Sequence, residues 1–234
     1  MDISPISMKR IYQSVIEQFV DLIRNGKLSY GEKLPSERTL ADMFGVSRPS
    51  IREAFSAMEI IGLIDVRPGE GAFLTELNIA PFINTIAPLL LNKRGMEYDL
   101  LEFRKMLELE AVDLAIDRSG TEGFDILLKP LAKMKESLDE MDPGLGALAD
   151  IEFHKELLML SGNYVLLKAA ECVSFILEDS VRFNREVILK DPGNAKTLLE
   201  QHVEIYEALC KKDHLKAGYL MEEHLDFVKR SISP

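Results

Sequence analysis

From Phe82 to Ser231 one pattern repeats: apolar residues return at spacings of three and four, and short breaks interrupt them. That period is the helical one, and it leaves no window with the alternation of a strand. The breaks fall near Asn92–Met96, Ser119–Gly123, Met141–Gly146, Ser161–Gly162, Asp191–Gly193 and Lys212–Asp213, which divides the stretch into six or seven amphipathic helices. Such helices bury their stripes only against one another, so this part of the chain is expected to be an all-α bundle.

The first third reads differently. A helix is expected from about Lys9 to Asn25, with a stripe of Ile11, Val15, Ile16, Phe19, Leu22 and Ile23 and a stop at Gly26. After the turn-rich Gly31-Glu32-Lys33-Leu34-Pro35, Ser36 caps a short helix, Glu37 to Phe44, ended by Gly45. Ser47 caps another, with Pro49 in its first turn, running to about Ile61. Two extended pieces, Leu63 to Arg67 and Ala72 to Glu76, flank Pro68-Gly69-Glu70-Gly71, a hairpin signal. The fold expected is mostly α: a winged helix-turn-helix over 1–76, a linker at 77–81 around Asn78-Ile79-Ala80-Pro81, and a helical bundle over 82–234.

A helix-turn-helix lays its second helix in the major groove, N-terminal end toward the bases. Here that end carries Arg48 and Arg52 at i, i+4, with Ser47 and Ser50 in the same turn. Arginine suits guanine O6 and N7, or phosphate. Arg38 lies on the preceding helix, which crosses the backbone, so a phosphate is its expected contact. Gly69 at the wing tip lets main chain approach the minor groove. One such helix reads only a few base pairs, so a homodimer on a palindromic operator is expected. The net charge of −11 does not exclude DNA. Residues 1–76 hold nine Lys/Arg against eleven Asp/Glu, while the remainder holds 19 against 28, so most of the negative charge lies outside the expected DNA-binding segment.

No apolar run is long enough to span a membrane: Ala87-Pro88-Leu89-Leu90-Leu91 is broken by proline and followed by Asn92-Lys93-Arg94. Met1 to Arg10 lacks the apolar stretch of a signal peptide. Cys172 and Cys210 sit in helical patterns and read as reduced core thiols. A cytoplasmic protein is expected.

Three of the four histidines fall on apolar stripes of separate helices: His154 with Ala147, Ile151, Leu157 and Leu158; His202 between Leu198 and Ile205; His224 with Leu220, Met221 and Phe227. Asp150 lies one turn before His154 on the same face. A carboxylate on an apolar face needs a partner or a metal. One carboxylate and three imidazoles suit a divalent ion such as Zn²⁺, Ni²⁺ or Mn²⁺, with zinc favoured. The alternative at this point is three hydrogen-bonded core histidines. His214, after Asp213 at a helix start, reads as surface. Arg104 shares a stripe with Leu100, Leu107, Ala111 and Leu114, and a guanidinium inside a bundle needs an anion. That anion is either an internal carboxylate, Glu108 or Glu152, or the carboxylate of a ligand.

The stretches Leu34-Pro35-Ser36-Glu37-Arg38-Thr39-Leu40-Ala41, Gly45 to Ala54, Gly62-Leu63-Ile64 and Gly69-Glu70-Gly71-Ala72-Phe73 resemble the DNA-binding domain of the GntR superfamily over about residues 8–76. The resemblance implies Arg38, Arg48 and Arg52 as DNA contacts, with Gly69 at the wing. Residues 97–230 resemble the ligand-sensing FCD domain of the FadR subfamily, through Glu102-Phe103-Arg104-Lys105-Met106-Leu107-Glu108, Asp150-Ile151-Glu152-Phe153-His154, Ser161-Gly162-Asn163, His202 and His224. In its metal-containing members these Asp and His positions hold the metal, and the arginine meets the ligand's carboxylate. A regulator sensing a small carboxylate is therefore the expected function. A metal-dependent hydrolase is the competing class, but no general base or nucleophile constellation accompanies the histidines. A DNA-binding protein whose histidines or metal are purely structural is the third reading.

Overall fold

A computed structural model describes residues 10–76, 78, 80–91 and 96–232. Residues 77 and 79 of the expected linker, the 92–95 break and Lys9 at the expected helix start lie outside them. The chain divides into two compact units, 1–86 and 87–234.

In the first unit, α1 (Ile11–Arg24), α2 (Glu37–Phe44) and α3 (Arg48–Ile60) precede the antiparallel pair β1 (Ile64–Arg67) and β2 (Gly71–Leu74). Ser36 Oγ accepts from Thr39 N and Ser47 Oγ from Ser50 N, the side-chain caps that start α2 and α3. The helices bury Phe19, Leu40, Ile51, Phe55 and Met58 together with Ile64 and Leu74 of the hairpin. The hairpin register puts Ile64 opposite Leu74 and Val66 opposite Ala72. The Gly31–Pro35 stretch, expected as a turn, also contributes a bridge from Lys33 to Phe73, with Leu34 N donating to Ala72 O. Its extended pairing comes from the edge that β2 offers, a tertiary partner that local turn chemistry does not reveal.

The end of α3 is tied to the chain leaving the wing. Gly62 has φ +70, and its carbonyl accepts from Asn78 N at 3.1 Å and Thr75 Oγ1 at 2.9 Å. A Cβ at Gly62 would lie 1.4 Å from Asn78 O. Only glycine combines the left-handed turn with that approach.

The remaining helices are α4 (Ala80–Leu91), α5 (Met96–Arg118), a 3₁₀ segment (Thr121–Leu127), α6 (Leu128–Glu140), α7 (Pro143–Leu160), α8 (Tyr164–Leu189), α9 (Pro192–Cys210) and α10 (His214–Ile232). Asp142 caps α7 by accepting from Gly144 N and Leu145 N, with Pro143 at the first helical position. Asp191 and Pro192 repeat the device at α9, and Asp213 accepts from Lys216 N at the start of α10. These caps are why the expected breaks at Met141–Gly146 and Asp191–Gly193 contract to about two residues. The second unit's core joins Val112, Phe124, Phe153, Leu157, Ile205, Leu209 and Met221. α5, α7, α9 and α10 all contribute to it, and the same four helices carry the candidate site.

Candidate metal centre and DNA-contacting face

Asp150 and His154 lie one turn apart on the buried side of α7. His202 of α9 and His224 of α10 face them. All four are buried, with one ligand atom from each within 4.8 Å of the others. His154 Nε2 lies 3.2 Å from His224 Nε2 and 3.4 Å from His202 Nε2. Asp150 Oδ1 is 3.3 Å from His202 Nε2 and 3.8 Å from His154 Nε2. Phe153 closes one side, its ring 4.7 Å from that of His202.

The outer nitrogens explain why the inner ones converge. His154 Nδ1 faces Glu108 Oε2 at 2.5 Å, His202 Nδ1 faces Leu198 O at 2.7 Å, and His224 Nδ1 faces Gln201 Oε1 at 3.0 Å. An ionised carboxylate and a backbone carbonyl only accept, so His154 and His202 donate from Nδ1 and turn Nε2 lone pairs inward. Gln201 completes the same arrangement at His224 when its oxygen faces the ring, as oriented here. Burial lowers the His154 and His224 pKa values, which keeps both imidazoles in the neutral form that can act as a ligand. Three lone pairs and a carboxylate pointed at one another repel unless a cation stands among them. The donor set, three nitrogens and an oxygen with each ring oriented from behind, fits a borderline divalent ion. A cavity of about 20 Å³ adjoins Asp150 and His202 beside Ser137 and Leu198, room for about one water-sized group.

Arg104 is buried one turn before Glu108 on α5, and its Nε–H donates to Glu108 Oε1. Of the two internal carboxylates expected for it, Glu108 is the partner. Glu152 instead pairs with Lys129 at 3.0 Å and Lys133 at 2.5 Å. Burial alone would push the Glu108 carboxyl up. Arg104 beside it, with His154, outweighs burial and holds it well below the usual carboxylate range. Arg104 also lines a cavity of about 140 Å³ between α5 and α10, where Lys105 pairs with Asp226 and Lys229 with Glu102; Asp150 and the three histidines lie outside its lining. His214 is partly exposed, 3.0 Å from Asp113, and lies outside the cluster. Cys172 and Cys210 are free thiols.

On the first unit, Arg38, Ser47, Arg48 and Arg52 are exposed and Ser50 is half-buried. Ser47 and Ser50 hydroxyls lie 2.9 Å apart at the cap of α3. Arg52 Nε donates to Glu37 Oε2 at 2.8 Å, an exposed pair that ties α3 to α2. Gly69 has φ +78, and a Cβ there would meet nothing within 4 Å, so the backbone turn alone selects glycine.

Two family models match the chain: the gntR family of bacterial regulatory proteins over residues 11–74, and the FCD domain over residues 99–227. The chain belongs to the GntR family and carries an FCD domain. This GntR regulator is similar to the HTH-type transcriptional regulator LutR of Bacillus subtilis, 34% identical over 168 residues that make up 72% of this chain and 76% of LutR. It is similar to the HTH-type transcriptional repressor NanR of Salmonella newport, 31% identical over 173 residues, 70% of this chain and 63% of that protein. A solved Streptococcus agalactiae GntR structure matches with TM-score 0.74 at 26% identity, covering 94% of this chain and 99% of that one. The Escherichia coli McbR/YncC structure, at 18% identity and TM-score 0.51, shares the fold. Membership makes the chain a DNA-binding transcription regulator rather than a hydrolase.

Three features of this regulator have no counterpart in the expectations from sequence. Glu108 was weighed only as a partner for Arg104; its second contact, with His154 of another helix, has no signal in local spacing. Gln201, adjacent to His202, is oriented toward His224 across a helix interface and is equally silent in the sequence. Arg67, at the end of β1, is the third. Its guanidinium sits 4.5 Å over the Phe73 ring and 2.7 Å from Asp65, with Glu70 at 4.0 Å. The wing's basic side chain is thus already shared between two carboxylates. Its position just before Pro68-Gly69 was the available clue.

Proposed function

We propose that this GntR regulator is a cytoplasmic homodimer that binds a palindromic operator, and that a small organic acid bound at a metal-containing site in its FCD domain controls its affinity for DNA. The observation that carries the reading is the convergence of three inward Nε2 atoms and the Asp150 carboxylate, with Arg104 held close by through Glu108. Asp150, His154, His202 and His224 hold the metal. Zinc is favoured because the set is mixed nitrogen and oxygen with four ligands. One aspartate and three neutral imidazoles around a divalent ion leave a net positive charge, and Arg104 adds another. Such a site selects an anion. Arg104 has five N–H donors in a fixed fork, of which Nε–H serves Glu108; a carboxylate entering the cavity between α5 and α10 meets the rest of that fork. A divalent ion held by Asp150 and the three histidines would supply positive charge and Lewis acidity to the site. LutR and NanR, by their names a regulator and a repressor, favour control of transcription.

Elemental analysis of purified protein tests the metal half. About one transition metal per chain is expected. His202→Ala loses most of it, while His214→Ala keeps it. Equal metal content in the two variants overturns the assignment.

A further inference from the structure

Among the described residues, Glu108 is the side chain that touches both halves of the proposed sensor. It is buried, with 2% of its surface exposed. Its Oε1 accepts from Arg104 of its own helix, and its Oε2 accepts from His154 Nδ1 of α7. The other two histidines are oriented by neutral acceptors, the Leu198 carbonyl and the Gln201 amide. Only His154 is oriented by an anion, and that anion is shared with the arginine proposed to meet the effector.

We infer that Glu108 is the positioning residue of this site: it fixes His154 as the Nδ1–H tautomer, with Nε2 turned to the metal, and ties that ligand to Arg104. A charged acceptor behind an imidazole strengthens its donation to a metal. A carboxylate drawn to Arg104 competes for the guanidinium, changes the charge that Glu108 presents to His154, and is thereby felt at the metal. Linkage requires the converse: metal binding alters the affinity of Arg104 for anions by the same factor. The inference rests on the proposed metal site for this coupling, but the tautomer follows from hydrogen bonding alone and is testable without metal.

The chain has four histidines, so imidazole ¹⁵N and ¹³C signals in histidine-labelled full-length protein are few enough to assign by single substitution. In metal-free wild type, His154 is expected as the Nδ1–H tautomer. In Glu108→Gln the amide can present either its oxygen or its NH₂, so the tautomers mix. Cobalt(II), as the metal probe, should bind Glu108→Gln about 10–100-fold more weakly than wild type, with a shifted visible band. Glu152→Gln, which removes from α7, the helix of His154, the carboxylate paired with Lys129 and Lys133 of α6, should match wild type in both readouts. Where Glu108→Gln fails to fold because Arg104 is left without its counter-charge, the double variant Arg104→Met/Glu108→Gln removes that charge and must show the same mixed tautomer. An Nε2–H His154 in wild type, or wild-type tautomer and cobalt affinity in the folded Glu108 variant, overturns the inference. A fixed Nδ1–H tautomer in a protein that binds no cobalt supports the hold of Glu108 on His154 and overturns the metal reading instead.

Discussion

At the scale of single residues, the strongest constraints are those with two independent causes. Gly62 is one: its left-handed backbone and the Asn78 carbonyl both exclude a side chain. Gly62→Ala is expected to destabilise the N-terminal unit by at least about 1–2 kcal/mol, the cost of left-handed backbone alone, and more if Asn78 cannot move. Urea unfolding followed by circular dichroism measures it, and a variant as stable as wild type would show that the tie between α3 and the chain after β2 contributes little. The histidines show what a residue-level reading of the sequence can and cannot reach. Their inward placement was legible because each lies on an apolar stripe, and Asp150 at i−4 from His154 marked the face. Their convergence was not, because it depends on how α7, α9 and α10 pack, and no spacing along the chain encodes that. The partner of Arg104 was left open between Glu108 and Glu152 for the same reason. At i+4, Glu108 is the helical neighbour, while Glu152 belongs to another helix and is taken by Lys129 and Lys133.

At the scale of elements, capping residues made the helices easy to place. Ser36, Ser47, Asp142 and Asp191 all bond the first-turn amides expected of N-caps. The Lys33 bridge to β2 was missed because a single paired residue in a turn-rich stretch carries no period. Element geometry also orders the DNA predictions. Arg48 opens α3, and Arg52 follows one turn later with its Nε held by Glu37. An exposed pair of this kind adds only about 0–1 kcal/mol to stability, so its larger consequence is to fix the direction of Arg52. Arg48→Ala and Arg52→Ala are each expected to cost about 1–3 kcal/mol of specific binding if they read bases. Arg38→Ala, on α2, is expected to weaken specific and non-specific binding alike and to lower the salt slope by about 1. Gel-shift titrations over a series of salt concentrations, on a site selected from random duplexes and on an unselected duplex, distinguish the two behaviours. Unchanged affinity in the Arg48→Ala/Arg52→Ala double variant contradicts a role for α3 in the major groove.

At the scale of the whole molecule, the two units answer different questions and the chain joins them covalently. The winged unit supplies operator recognition; the FCD unit supplies a buried donor set beside an arginine. A ligand changes DNA affinity only by binding one arrangement of the proposed dimer better than another, and allosteric coupling is typically about 1–3 kcal/mol. The proposed effector is a small acid that reaches Arg104, which lines a cavity of about 140 Å³. Pyruvate, lactate, a sugar acid and a short dicarboxylate are candidates, and thermal-shift screening of metal-loaded wild type and Arg104→Ala identifies which of them engages the arginine. The most direct test of the account is then a DNA titration of metal-loaded protein, with and without the acid so identified. Wild type is expected to change its operator affinity by roughly 5–150-fold, while Arg104→Ala binds the same DNA and keeps its metal but does not respond. An acid that stabilises both proteins equally, or one that binds wild type and leaves its DNA affinity unchanged, would contradict control of this regulator through Arg104 and the metal.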